Sequence, residues 1–267
     1  MRNMKGFTVL ELLVAALLAG MVTTAAMSLY ITQHKQLLVQ DDVADMQFSI
    51  RAAMAELTGK VRMAGYKVPE WMALKASNTD PDTVTIAYDA GVTLDDIQIE
   101  HSMPQPSSEL RCDGHDLSGL EDNDLLYIYD PVTMTGEFFL ATQIQYSSSH
   151  IQHNTMDLSR AYPRGSRILR VNQFKYFIDG SDPDHPNLMV QADNELPQIY
   201  AENITHLNFS YLLSSGEVVD VPSLAEMVRE VVITVAARTD RADNDFHSRY
   251  RIRSLTTRVK VRNLGVN

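Results

Sequence analysis

One carboxylate, Glu11, interrupts a run that from Phe7 to Ile31 holds no other ionisable side chain except Tyr30. A carboxylate at the middle of a membrane helix costs about 2.5–3.5 kcal/mol on insertion scales, although Glu11 lies near one end of its run. Two chemistries are open to it. It can stay protonated or interfacial close to the headgroups, or it can be matched by an opposite charge. A cut after Gly6 would create that charge as the α-amino group of Phe7. A second set of residues lies near the other end of the chain. Arg249, Arg251 and Arg253 alternate, and so do Arg258, Lys260 and Arg262. Alternating bases suit a solvated sheet face or a charged edge that discourages aggregation; they also suit a patch for DNA or for an acidic partner. The parity switches between the two triplets, which predicts a bulge or break near Ser254–Thr256.

The elements that position these residues can be read from periodicity. Roughly 20 apolar residues cross a bilayer, and the run from Phe7 to Ile31 has about 25. Arg2 and Lys5 precede it, so the positive-inside rule keeps the N-terminus cytoplasmic and sends the remainder outward. The run is longer than the apolar region of a signal peptide and lacks its small-residue cleavage site, so it is expected to stay as an anchor. Val39, Val43, Met46, Ile50, Met54, Leu57, Val61 and Ala64 continue at spacings of three and four, one apolar stripe on a helix. Gly59 and Gly65 weaken the end of the pattern, and Pro69 stops it. Ala15 with Ala19, and Ala16 with Gly20, are small pairs of the kind that let membrane helices approach closely.

Beyond Pro69 the period becomes two. Strands are expected over 83–88, 95–101, 124–130, 137–146, 167–179, 187–193, 204–213, 217–221, 229–238 and 249–263, with turn-rich breaks at 77–82 and 179–187. The expectation is an α+β fold: a long N-terminal helix, its first half membrane-spanning, packed against an antiparallel β-sheet domain. No linker demands a division of the β-rich part.

Composition narrows the function. The chain has 34 acidic and 23 basic residues, net −11, which argues against a nucleic-acid binder that works by broad phosphate neutralisation. Cys112 is the one cysteine, so no intrachain disulfide forms, and it reads as a small buried hydrophobe. No G-x-S-x-G, HExxH, CxxC or P-loop is present, and no enzyme activity is expected. His150 and His153 are read as solvated residues of a polar loop rather than metal ligands. The acids at 182–184 and 240–245 offer oxygen ligands without EF-hand spacing, so no cofactor is expected, with calcium left open. Asn203 and Asn208 head glycosylation sequons, 203–205 running into the strand expected over 204–213 and 208–210 lying within it.

The residues Lys5, Gly6, Phe7, Thr8, Val9, Leu10, Glu11 and Leu12 resemble the class III signal of type IV prepilins. Farther on, VRMAGY (61–66) is similar to the helix-end junction of the W-type minor pilins. EDNDLLYIYD, KYFID followed by NLMVQ, ENITHLNFSYLL, PSLAEMVREVVITVAART and LTTRVKVRNLG are similar as well. Many members of that family carry cysteine pairs, which this chain cannot form. The resemblance implies a six-residue leader (1–6), a transmembrane half-helix (7–31), an amphipathic half-helix (32–66) and a periplasmic pilin domain (67–267). It implies cleavage after Gly6 by a prepilin peptidase, methylation of Phe7, and pairing of Glu11 with the N-terminal amine of a neighbouring subunit. It further implies a place in the inner membrane and then in the pilus, with other minor pilins, the major pilin, the assembly platform and membrane lipid as partners. The expected function is initiation of pilus assembly at the tip. The alternatives are a J-type pseudopilin of type II secretion, or a tip adhesin or DNA-uptake module on the same scaffold.

Overall fold

Helix α1 runs unbroken from Val9 to Met63, 55 residues, or about 80 Å at 1.5 Å per residue. The computed structural model describes residues 8–89, 97–153, 157–193, 195–243, 246–247 and 249–265. The two halves of α1 meet different surroundings. The apolar stretch is long enough to cross a membrane, and none of it is buried against the rest of the chain. Its hydroxyls are satisfied within the helix: Thr23 donates to the Ala19 carbonyl at 2.7 Å and Thr24 to that of Gly20 at 2.9 Å. That is the arrangement hydrocarbon demands of a polar group. In the second half, Met46, Ile50, Ala53, Leu57 and Val61 are buried, with Val43 and Met54 packed beside them. The stripe read from the sequence is therefore the face turned to the core.

The helix ends at Met63, three residues before the expected 66, and the reason is local. Gly65 takes a left-handed φ of +79°, a conformation that L residues other than glycine rarely adopt. Its N–H turns away to the Ala87 carbonyl at 3.0 Å. The carbonyls of Arg62, Met63 and Ala64, left open by the end of the helix, are met by the Asn263 side-chain amide at 3.2–3.4 Å.

Fifteen strands follow among the described residues. β1 (Leu74–Ser77) and β2 (Thr83–Tyr88) come first. Next are β3 (Leu110–Arg111), β4 (Leu125–Asp130), β5 (Thr135–Leu140), β6 (Gln143–Gln145), β7 (His150–Gln152) and β8 (Arg167–Arg170). The last group is β9 (Asn172–Asp179), β10 (Asn187–Ala192), β11 (Gln198–Ala201), β12 (Ile204–Leu213), β13 (Val218–Val219), β14 (Val228–Arg238) and β15 (Ile252–Lys260). They form four antiparallel sheets, β1-β2-β9-β10-β11, β13-β12-β14-β15, β5-β4-β8 and β3-β7-β6. One long N-terminal helix packed with antiparallel sheets is the α+β architecture the sequence led us to expect.

The main core lies between α1 and the first two sheets, where Leu57, Ile86, Tyr176, Phe209, Tyr211 and Ile233 are all within 1 % of full burial. Polar groups cross it as well. The Tyr176 hydroxyl donates to Glu56 at 2.6 Å, and Lys60 donates to the Tyr88 hydroxyl at 2.8 Å while lying 3.3 Å from the Phe174 ring centroid. Asp82 ties the two sheets together, its carboxylate accepting from the Phe209 N–H at 2.7 Å.

Between β2 and β9 the chain makes a second lobe with its own core, including Ile99, Leu110, Cys112, Leu126, Ile128 and Tyr162. A small third cluster of Val68, Ala87, Tyr127, Tyr129 and Val171, with Trp71 packed on it, joins this lobe to the helix end. The stretch 167–179, which reads as one strand, is two: β8 pairs in the second lobe and β9 in the main sheet, with Val171 buried between them. Likewise 137–146 is divided into β5 and β6 at Ala141–Thr142. A continuous alternation of apolar residues cannot show that its two halves pair in different sheets. Of the strand expected at 95–101, the described part makes only an isolated bridge, Gln98 to Arg167.

Candidate functional site

Glu11 stands in the first turn of α1 as part of a capping box. Thr8 is the N-cap; its hydroxyl oxygen accepts from the Glu11 N–H at 3.3 Å. The Glu11 carboxylate in turn accepts from the Thr8 N–H at 2.8 Å and from its hydroxyl at 3.0 Å. Two of the helix's open N–H groups are thereby satisfied, and the carboxylate sits at the positive end of the helix dipole. Sequence reasoning missed Thr8 as a functional partner, although the spacing Thr8-x-x-Glu11 is a capping-box signature. Gly6 and Phe7 lie outside the described residues. Glu11 has no basic side chain as partner among the described residues. The carboxylate is thus oriented by its own helix and open to a cation from another chain.

The six bases near the C-terminus do not form one patch. β14 and β15 pair in unbroken register from Arg238 opposite Ile252 to Glu230 opposite Lys260. The bulge expected near Ser254–Thr256 is absent, and the parity switch instead sets Arg251 and Arg253 on the face opposite Arg258, Lys260 and Arg262. Leu255 and Val259 keep the inward face for the core, so Arg258, Lys260 and Arg262 point outward with the exposed Ile252, Ser254 and Thr256. Arg251 and Arg253 share the inward parity, but at the end of the strand beyond the core. Arg251 binds Asp243 at 3.0 Å and covers the Phe246 ring; Arg258 lies 3.4 Å from Glu230. Arg249 is outside the strand, at φ +62°.

His150 and His153 are not a solvated loop pair. His150 lies in β7, with Glu109 and Asp113 each 3.2 Å from one of its ring nitrogens. His153 is buried and bonds the Ser108 carbonyl at 2.8 Å. The lobe's core holds one ring and its surface acids hold the other, which periodicity could not reveal. Asp182 accepts from the Asp184 N–H at 2.9 Å and faces His185 at 3.1 Å; hydrogen bonds from His185 and from the Asp184 N–H hold its carboxyl below the usual range. Among the described residues no group of three or more His, Cys, Asp or Glu could hold a metal ion; residues 244–245 of the acidic stretch lie outside them. Asn203 sits in the turn between β11 and β12 at φ +58°, just before the strand expected from residue 204, because the turn needs a left-handed residue there.

Cys112 is fully buried in the second lobe, and burial, with Asp113 and Glu100 adding to it, pushes its thiol up to about 12. A thiol of that kind is neither nucleophile nor metal ligand near neutral pH. Maleimide should label Cys112 only as the second lobe unfolds, read by mass spectrometry along a urea series. Labelling of the folded protein at the rate of a free thiol would show that the lobe opens by itself.

No family model and no curated protein matches the chain. Among solved structures, one similar in outline is described as a type IV-like pilin from Thermus thermophilus. It is 9 % identical over 85 % of this chain and 98 % of that one, at a TM-score of 0.38. A superposition that loose carries no statement about what this chain does.

Proposed function

We propose that this protein is a minor pilin of a type IV pilus, one that helps initiate assembly and takes a place at or near the tip. The observation that supports the reading best is α1 itself. Its apolar half is wholly exposed, Glu11 is capped at its start, and its other half is buried in the core of the β-rich region. Such a helix needs a membrane or other helices around its first half. In this reading a prepilin peptidase cuts after Gly6, Phe7 becomes the methylated N-terminus, and the subunit waits in the inner membrane with its β-rich part in the periplasm. Glu11 then meets the amine of a neighbouring subunit as the filament forms. The protein does no chemistry of its own and holds no cofactor.

An in-frame deletion tests this, assayed together for sheared surface pili and for secreted enzymes. Loss of pili with secretion intact is the expected result. Loss of secretion with normal pili would overturn the pilus assignment and leave a J-type pseudopilin. Normal pili and normal secretion would remove the assembly role altogether.

A further inference from the structure

Of the two edges that end the helix-packed sheets beside α1, one is guarded and the other is not. Natural edge strands are kept from pairing by charge, brevity or cover. β15 is guarded: from 249 to 262 the chain holds six bases and no acid. β11 carries Gln198, Ile199 and Tyr200 exposed along its length, with no charge, and Leu196 just before it is 85 % exposed. Its own segment of chain is acidic. Asp193, Glu195 and Glu202 flank it, and no lysine or arginine occurs from 191 to 202. Burial, and then the nearby Glu56 carboxylate, push the Tyr200 hydroxyl up.

The two edges also match in height and direction. The loop that leads into β15 touches α1 low down, where Arg241 lies 3.9 Å from Asp42. The far end of β15 leads to Asn263, which binds the carbonyls of residues 62–64 at the top of α1. β15 therefore rises alongside α1, and nine strand residues and twenty helix residues both span about 30 Å. β11 falls: Tyr200 is beside Glu56, while Glu202 shares a recess with Asp45, Ser49, Arg238 and Arg241. Two copies standing in one membrane would present β11 and β15 at the same level, running in opposite directions.

We propose that β11 is a docking edge for a second copy of this chain, which adds its β15 as an antiparallel strand. The five-stranded sheet of one copy would continue into the four-stranded sheet of the next, with acidic flanks against Arg253, Lys260 and Arg262. None of those three bases has a carboxylate partner among the described residues. Each copy keeps one edge open, so the contact is head-to-tail and extends beyond a dimer. The inference rests on the reading of α1 as a membrane anchor and does not depend on which filament the protein serves.

The test uses the full chain in its own membrane, without assembly machinery, so a failed pilus assignment leaves it intact. Ile199→Cys, on the face away from α1, is combined in turn with Ser254→Cys, Thr256→Cys or Arg258→Cys and oxidised; native Cys112 is buried and silent. The expected result is a ladder of dimers, trimers and larger species in at least one register. It should fall at least fivefold with Glu195→Lys plus Glu202→Lys, and recover when Arg253→Glu and Lys260→Glu are added. Absence of a ladder in all three registers would overturn the proposal. So would dimers from Ile199→Cys alone, adducts only to other proteins, or a ladder indifferent to the charge changes. A fall without recovery, in protein whose Trp71 fluorescence matches the wild type, would overturn it too.

Discussion

Replacing Glu11 by glutamine is expected to block incorporation into filaments as completely as replacing it by alanine, with leader cleavage unchanged in both variants. The capping box gives this comparison its force. Glutamine at the third helical position can still accept from the N-cap, so Glu11→Gln keeps the cap and removes only the charge. Glu11→Ala removes both. Loss of a cap costs about 0.5–2 kcal/mol, which a 55-residue helix anchored in a core can tolerate. Removing one member of an ion pair shielded from water costs about 3–5 kcal/mol, because the partner is left unmatched. That corresponds to at least a hundredfold change in the docking equilibrium. Immunoblots of sheared filaments against membranes would measure it. If Glu11→Gln assembles normally while Glu11→Ala does not, the carboxylate serves as a helix cap and the charge-pairing role fails. Thr8→Val is the complementary variant: it removes the hydroxyl that Glu11 engages, keeps the charge, and should reduce incorporation only modestly.

The second large effect is structural. Gly65→Ala should destabilise the β-rich region by about 2–4 kcal/mol, from the left-handed backbone and from crowding together. A Cβ at Gly65 would lie 2.9 Å from a Leu264 methyl and 3.2 Å from the Asn263 carbonyl oxygen, both on the C-terminal segment that closes the helix end. The reduced freedom of alanine in the unfolded chain returns about 0.4–1 kcal/mol, too little to cancel this. Trp71, the only tryptophan, packs on Tyr127 at 5.6 Å between ring centroids and reports on this junction. Urea unfolding followed by its fluorescence should show a lower midpoint at an unchanged slope. A wild-type midpoint would mean that the junction can form without a left-handed residue.

Much of this was legible from local pattern. The apolar run, the stripe from Val43 to Val61 and the strands β2 and β12 stand where periodicity places them, since each depends on residues near in sequence. The anomaly of Glu11 was also visible, and so was its partner Thr8, had the capping spacing been applied. Other features depend on contacts between distant segments. The helix stops at Met63 because Gly65 and Asn263 meet there, 198 positions apart in numbering. The stretch 167–179 divides at Val171 because its halves pair with β4 and with β2 and β10. Arg251 and Arg253 are separated from Arg258, Lys260 and Arg262 onto two faces because β14 holds β15 in one unbroken register, where alternation alone suggested a bulge. The sequence by itself determined α1, the longer strands and which of their faces are apolar, because backbone periodicity is local; the short strands β1, β3, β7 and β11 were not among those expected, since two to four residues hold too little alternation to read. Only the tertiary structure decided where elements end and what stands beside Glu56, Cys112 or β11, because those answers depend on which distant segment packs against each.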